Sequence, residues 1–157
     1  DRIVRELGAR VVFLPMQFPE DVHAAESIAE RTHEPCTVLK DEYTTSEFLS
    51  LVGNMDLMLA IRLHALIFAG VMGVPMIGVS YDPKIDRFLA SIGEKPVGGL
   101  DDVTADELMA EVRRKWNDKA VFRKRNAELL AKLRDLAARN AELALQLIGN
   151  QEKGTRR

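Results

Sequence analysis

Hydrophobic positions along the chain fall into two alternating patterns, short continuous runs and helical stripes. Residues 10–15 (RVVFLP) form a β-rich apolar run of the kind that makes a buried strand. Residues 19–31 place Val22, Ala25, Ile28 and Ala29 on one helical face, behind an acidic start at Glu20-Asp21. A second strand is predicted over 35–39 (PCTVL), followed by a short helix over 45–52 with Thr45 or Ser46 as its N-cap. Residues 56–61 (DLMLAI) read as a third strand. Residues 63–72 read as a buried helix closed by Gly73, 75–79 (PMIGV) as a fourth strand, and 83–92 as a helix closed by Gly93. Strand and helix alternating with short connections is the grammar of a parallel sheet with helices on both faces, so all four strands are expected in one such sheet.

The two ends differ from this middle. Residues 1–7 read as the last two turns of a helix capped by Gly8, an odd place to begin, and the expectation is a fragment whose upstream half is missing. Residues 104–116 form a helix with a capping-box start, Thr104 with Glu107. Residues 118–148 form a long charged helix on which Phe122, Leu129, Leu133, Leu136, Leu143 and Leu147 line one stripe. The stripe must pack on an internal helix, a missing domain or a second chain, which makes a homo-oligomer through this helix one of the options. The division expected is an α/β core over 1–100, C-terminal helices over 101–150 and a disordered tail over 151–157.

Composition narrows the function classes. The 157 residues are 46% hydrophobic and 29% charged, which supports a packed core of about one domain. With 22 basic and 24 acidic residues the formal net charge is −2, so the basic field of a nucleic-acid binder is absent. The single cysteine, Cys36, excludes an intrachain disulfide and a multi-cysteine zinc site, and within a strand it reads as core. No apolar run reaches the roughly 18 residues of a membrane span. These features predict a reduced, cytoplasmic protein, at most peripheral to the inner face of the membrane.

Candidate chemistry sits where an open parallel sheet binds ligands, outside the carboxyl ends of its strands. Arg62 and His64 follow the third strand and open a helix; Lys84 follows the fourth, in the turn Ser80-Tyr81-Asp82-Pro83-Lys84. A helix N-terminus offers unpaired N–H groups and partial positive charge, and Arg62, His64 and Lys84 would concentrate that into an anion site. Arginine gives a planar fork, lysine a movable point charge, and histidine a proton donor and acceptor near neutral pH. Against this stand plainer readings: His64 as a hydrogen-bonded structural residue, Lys84 as a solvated helix-start lysine, and Arg62 as the partner of Asp56 or Asp82. His23 and His33 lie in polar stretches and read as surface residues, and the histidine spacing does not suit a metal. Ser80 lacks a nucleophile elbow, Gly70 and Gly73 do not make a dinucleotide fingerprint, and Arg123-Lys124-Arg125 reads as a solvated helix face.

The blocks Arg62-Leu63-His64-Ala65-Leu66-Ile67-Phe68-Ala69, Gly73-Val74-Pro75 and Ser80-Tyr81-Asp82-Pro83-Lys84, with Val12-Phe13-Leu14-Pro15-Met16-Gln17 upstream, resemble the polysaccharide pyruvyl transferase family. The closest likeness is to bacterial cell-wall ketal pyruvyl transferases, which prepare secondary cell-wall polymers for anchoring the surface layer. The resemblance implies a GT-B-like fold of two Rossmann-like halves with the site between them, of which this chain is similar to the C-terminal half. It implies phosphoenolpyruvate as donor and a sugar or lipid-linked glycan as acceptor. His64 and Lys84 are implied as donor-site residues and Arg62 as the arginine of the same motif, and a histidine's ordinary pKa makes His64 the catalytic acid/base candidate. No metal and no separate cofactor are called for. The isolated fragment is expected to be inactive, because most acceptor contacts would come from the other half. Two other readings stand beside this one: a nucleotide-sugar glycosyltransferase of the same architecture, and a non-catalytic α/β association module.

Overall fold

The computed structural model describes residues 1–154. Its elements run α1 (Arg2–Leu7), β1 (Val11–Phe13), α2 (Glu20–Ala29), β2 (Cys36–Val38), α3 (Thr45–Gly53), β3 (Met58–Ala60), α4 (Leu63–Met72), β4 (Met76–Gly78), α5 (Pro83–Ser91), α6 (Ala105–Asn117) and α7 (Lys119–Gly154). Local signals account for the boundaries. Gly8 and Gly73 end α1 and α4 in the left-handed region, at φ 61° and 70°, where a side chain would be strained. Thr104 caps α6 in a full capping box with Glu107. The same device opens α3, but its cap is Thr44 with Glu47, one residue before the expected Thr45.

Both strand pairings are parallel. Val11, Val12 and Phe13 stand opposite Cys36, Thr37 and Val38; Met58, Leu59 and Ala60 stand opposite Met76, Ile77 and Gly78. The four strands do not join in one sheet, which corrects the sequence expectation: β1–β2 and β3–β4 are separate two-stranded sheets. A cavity of about 360 Å³ lies between β1 and β3. Beyond β4, Ser80 bridges to Gly99 in parallel, so the turn after the sheet is held by 98–100.

Successive residues of β4 define the two faces. Met76 packs with Leu66, Ile85 and Leu89 in a cluster that also takes in Phe48, Val52 and Phe122. Ile77 packs on the other side with Met109 and Val112, flanked by Ile3 and Leu7. Helices therefore cover both faces of this pair, α3, α4 and α5 on one and α1 and α6 on the other. Leu66 and Ile85 are completely buried, each worth roughly 1.5–3 kcal/mol. Gly78 makes the close approach of two helices to β4 feasible, because a Cβ there would lie 2.7 Å from Leu89 Cδ1 and 3.1 Å from Leu66 Cδ1.

The long helix behaves differently from its sequence expectation. Phe122 is buried against the first cluster, but Leu136 and Leu143 are exposed, so the described residues do not cover the stripe at those positions. The side chains of Leu129, Leu133 and Leu147 lie outside the described residues. Residues 155–157 of the expected tail do too, while 151–154 belong to α7. Arg123, Lys124 and Arg125 are exposed, as expected of a solvated run, and Arg125 also pairs with the buried Glu94, which binds the buried Lys115 as well. Ile28, expected on the inner face of α2, is half exposed at the edge of the cavity.

Candidate functional site

The residues singled out by sequence converge on one rim. β3 and β4 are parallel neighbours with Ala60 opposite Gly78. The helices that follow them, α4 and α5, therefore both begin at the carboxyl end of the pair. His64 lies in the first turn of α4 and Lys84 in the first turn of α5; both are exposed. His23 and His33 are exposed as well and lie elsewhere, on α2 and in the turn before β2.

The two helix starts differ electrically. Asp82 caps α5 by accepting from Lys84 N–H at 2.9 Å, and Pro83 occupies the first turn, where its missing N–H costs nothing. The α4 N-cap is Arg62, which makes no side-chain capping bond. The first N–H groups of α4 thus keep their capacity to bind an anion, beside His64.

Arg62 is committed to neither Asp56 nor Asp82. Its Nη2 donates to Asp21 Oδ1 at 2.5 Å, and Asp21 Oδ2 accepts from the backbone N–H groups of Met16 and Gln17 at 3.1 and 3.0 Å. Burial pushes the Asp21 carboxyl up, but the Arg62 guanidinium and the two N–H groups outweigh it and hold the carboxyl below its ordinary range. The same contact raises Arg62 further. Asp56 pairs with Lys119 at 2.7 Å instead. Lys84 Nζ sits 3.3 Å from Asp82 Oδ2 and 5.7 Å from the centre of the Tyr81 ring. The rim is accordingly a set of paired charges, not the concentrated positive pocket expected from the three cations alone.

Asp21 is the residue that sequence reading passed over. It figured only as a helix-start acid, yet it pins the loop after β1 to the start of α4. The signal is faint, since an acidic first turn is ordinary for any helix. That loop, through Pro15 and Met16, also walls a second cavity of about 380 Å³ lined by Tyr43, Thr45, Phe48 and Phe68. Phe48 and Phe68 form one wall as a tilted ring pair with centroids 5.6 Å apart. Ser80 donates to Asp86 at 2.6 Å and has no histidine partner among the described residues. The described residues contain no group of three or more His, Cys, Asp or Glu side chains arranged to hold a metal, and no helix long and apolar enough to cross a membrane.

One comparison with known proteins gives a match. The family model described as polysaccharide pyruvyl transferase covers residues 1–83, more than half of the chain. No curated protein and no solved structure gives a significant match. The matched span includes β1 to β4, the Asp21–Arg62 contact and His64; it stops one residue before Lys84.

Proposed function

The chain belongs to the polysaccharide pyruvyl transferase family, and from that premise we propose that it supplies the donor-binding half of an enzyme that moves pyruvate from phosphoenolpyruvate to a sugar as a ketal. The acceptor in this reading is a precursor of a cell-wall polysaccharide, free or lipid-linked, and the enzyme works in the cytoplasm. The architecture would be GT-B-like, with the α4–α5 rim facing a second Rossmann-like half. Exposed Leu136 and Leu143 on α7 offer that half, or another copy of the chain, a surface to pack on.

The observation that carries the reading is the uncapped N-terminus of α4 with His64 in its first turn, at the same end of the β3–β4 pair as the start of α5 with Lys84. Phosphoenolpyruvate bears a carboxylate and a phosphate, and free helix N–H groups with a lysine suit two anionic groups a few bonds apart. In the reaction, a sugar hydroxyl oxygen bonds to the enol carbon while the methylene carbon gains a proton and becomes methyl. A second hydroxyl of the same sugar then bonds to that carbon as the C–O bond to phosphate breaks. Two hydroxyl protons are lost; one is balanced by the new methyl C–H, the other leaves with phosphate. In this reading His64 moves these protons. Lys84 stabilises charge on the departing phosphate, after release from Asp82. Arg62, held by Asp21, fixes the start of α4 and turns its remaining N–H groups to the donor.

Thermal unfolding with added donors tests the assignment. Phosphoenolpyruvate should raise the melting temperature, since a ligand at about 100 times its Kd stabilises by about 2.7 kcal/mol. Nucleotide sugars should not. A shift with nucleotide sugars alone would assign the rim to a glycosyltransferase instead.

A further inference from the structure

The cavity between β1 and β3 is bounded by what surrounds the central strand of a doubly wound sheet. Two of its walls are strand edges. The Phe13 carbonyl accepts from Leu39 N–H at 3.1 Å, so Phe13 is turned toward the β2 side. Backbone groups alternate sides along a strand, which turns the N–H and C=O of Val12 away from β2 and into the cavity. β3 repeats the arrangement. Met58 N–H donates to Pro75 at 2.9 Å and Ala60 C=O accepts from Val79 at 3.1 Å, so the N–H and C=O of Leu59 face away from β4 and toward the same cavity. Neither Val12 nor Leu59 has a backbone partner across it among the described residues. The other walls are helical: Ile3 of α1, Ala25 of α2, Val112 of α6 and Ala65 of α4. Leu59 and Ile61 are 39% and 44% exposed, unusual for the interior strand of an α/β sheet.

We propose that this slot takes one further β-strand, parallel to β1 and β3 and apolar on both faces, and that the occupant is the strand of the same polypeptide that feeds α1. Continuity with the two existing ladders selects a strand. An inserted backbone would satisfy the Val12 and Leu59 amides and carbonyls together and give one sheet in the order β2–β1–insert–β3–β4. A small apolar molecule would fill the volume and leave those groups unpaired, which is unfavourable for buried backbone polar groups. Topology selects the direction. α1 leads into β1 and packs on the α6 face, so a strand entering α1 crosses over that face and arrives at the open edge of β1 in the usual right-handed unit. The inference does not depend on the chemistry at His64.

Hydrogen exchange read residue by residue by NMR tests it. In the chain itself the Val12 and Leu59 amides should exchange as open edges while Thr37 and Met58 are protected. An extension fused to Asp1, with about five alternating valines and isoleucines, a short glycine loop and a helical segment continuing α1, should slow Val12 and Leu59 by about 100-fold or more. Proline at alternate strand positions of the extension should abolish that protection, because proline has no N–H for the ladder. The same strand as a free lysine-flanked peptide should shift the resonances of the same two residues, a readout that does not need the fusion to fold. Val12 and Leu59 already as protected as Met58 in the unextended chain would overturn the proposal. So would protection that survives the prolines, or a fusion and a peptide that both leave the two residues unchanged.

Discussion

Asp21 and Arg62, 41 residues apart in the chain, meet at 2.5 Å and hold the loop after β1 against the first turn of α4. The contact joins one strand pair to the other at the rim where the sheet itself is interrupted. Its pH dependence follows from the direction of the Asp21 shift. The folded carboxyl titrates below its unfolded value, so its contribution to stability is complete above roughly pH 4 and is lost as pH falls through the folded value. Asp21→Asn should therefore lower the melting temperature at about pH 7 and change it less below about pH 4, where the unfolded carboxyl is already protonated and the contribution of the native one is falling. Thermal unfolding of both proteins across that range checks this; an equal deficit at both ends would remove the ion pair as the cause.

Gly78 offers a test of the packing over β4. An added methyl would press on Leu89 and Leu66, both fully buried, so Gly78→Ala should destabilise by about 1–3 kcal/mol in urea unfolding. Gly53→Ala is the contrast. There the new Cβ meets only the terminal methyl of Met72 at 2.5 Å, a group that can swing aside, and the helix gains a better former. Its effect should be small or stabilising.

These two glycines also mark what the sequence carries and what it does not. Periodicity and punctuation located the elements well: the 63–72 helix ends at Gly73 as read, and the Thr104–Glu107 box opens α6. Apolar runs located four strands, and both pairings are parallel. The runs carried no information about which edges pair, because Val12 and Leu59 look equally buried whether a neighbour lies beside them or not. Charge partners were the least legible. Arg62 was matched to nearby acids in sequence, but the fold brings it Asp21, and Arg125 leaves its basic run to reach Glu94. Such contacts depend on three-dimensional closure that no local spacing encodes.

Glu94 should be costly to alter. It is buried between Lys115 and Arg125, and Lys115 also lies 4.7 Å from the centre of the Phe122 ring. Removing one member leaves a buried charge without compensation, so Glu94→Gln should cost about 3–5 kcal/mol. Replacing Lys115 by Met in the same protein should recover part of that loss, since the stranded charge goes too. Urea unfolding of the single and double variants measures the coupling; purely additive losses would show that the pair does not act as a unit.

Lys84 should act on the donor. In the enzyme proposed above, Lys84→Ala should raise the KM for phosphoenolpyruvate and slow phosphate loss. Lys84→Arg should restore binding only in part, because a planar fork replaces a point charge beside Asp82. Steady-state kinetics with varied phosphoenolpyruvate separate the two effects. Unchanged constants in both variants would leave Lys84 as a solvated helix-start residue.

The most direct measurement is release of inorganic phosphate from phosphoenolpyruvate by that enzyme, with and without a sugar acceptor. The account predicts release only when acceptor is present, one phosphate for each ketal formed. It also predicts a loss of about 100-fold or more in His64→Ala, the usual size of a general acid/base effect. Acceptor-independent release, or near-normal turnover in a well-folded His64→Ala protein, would contradict it.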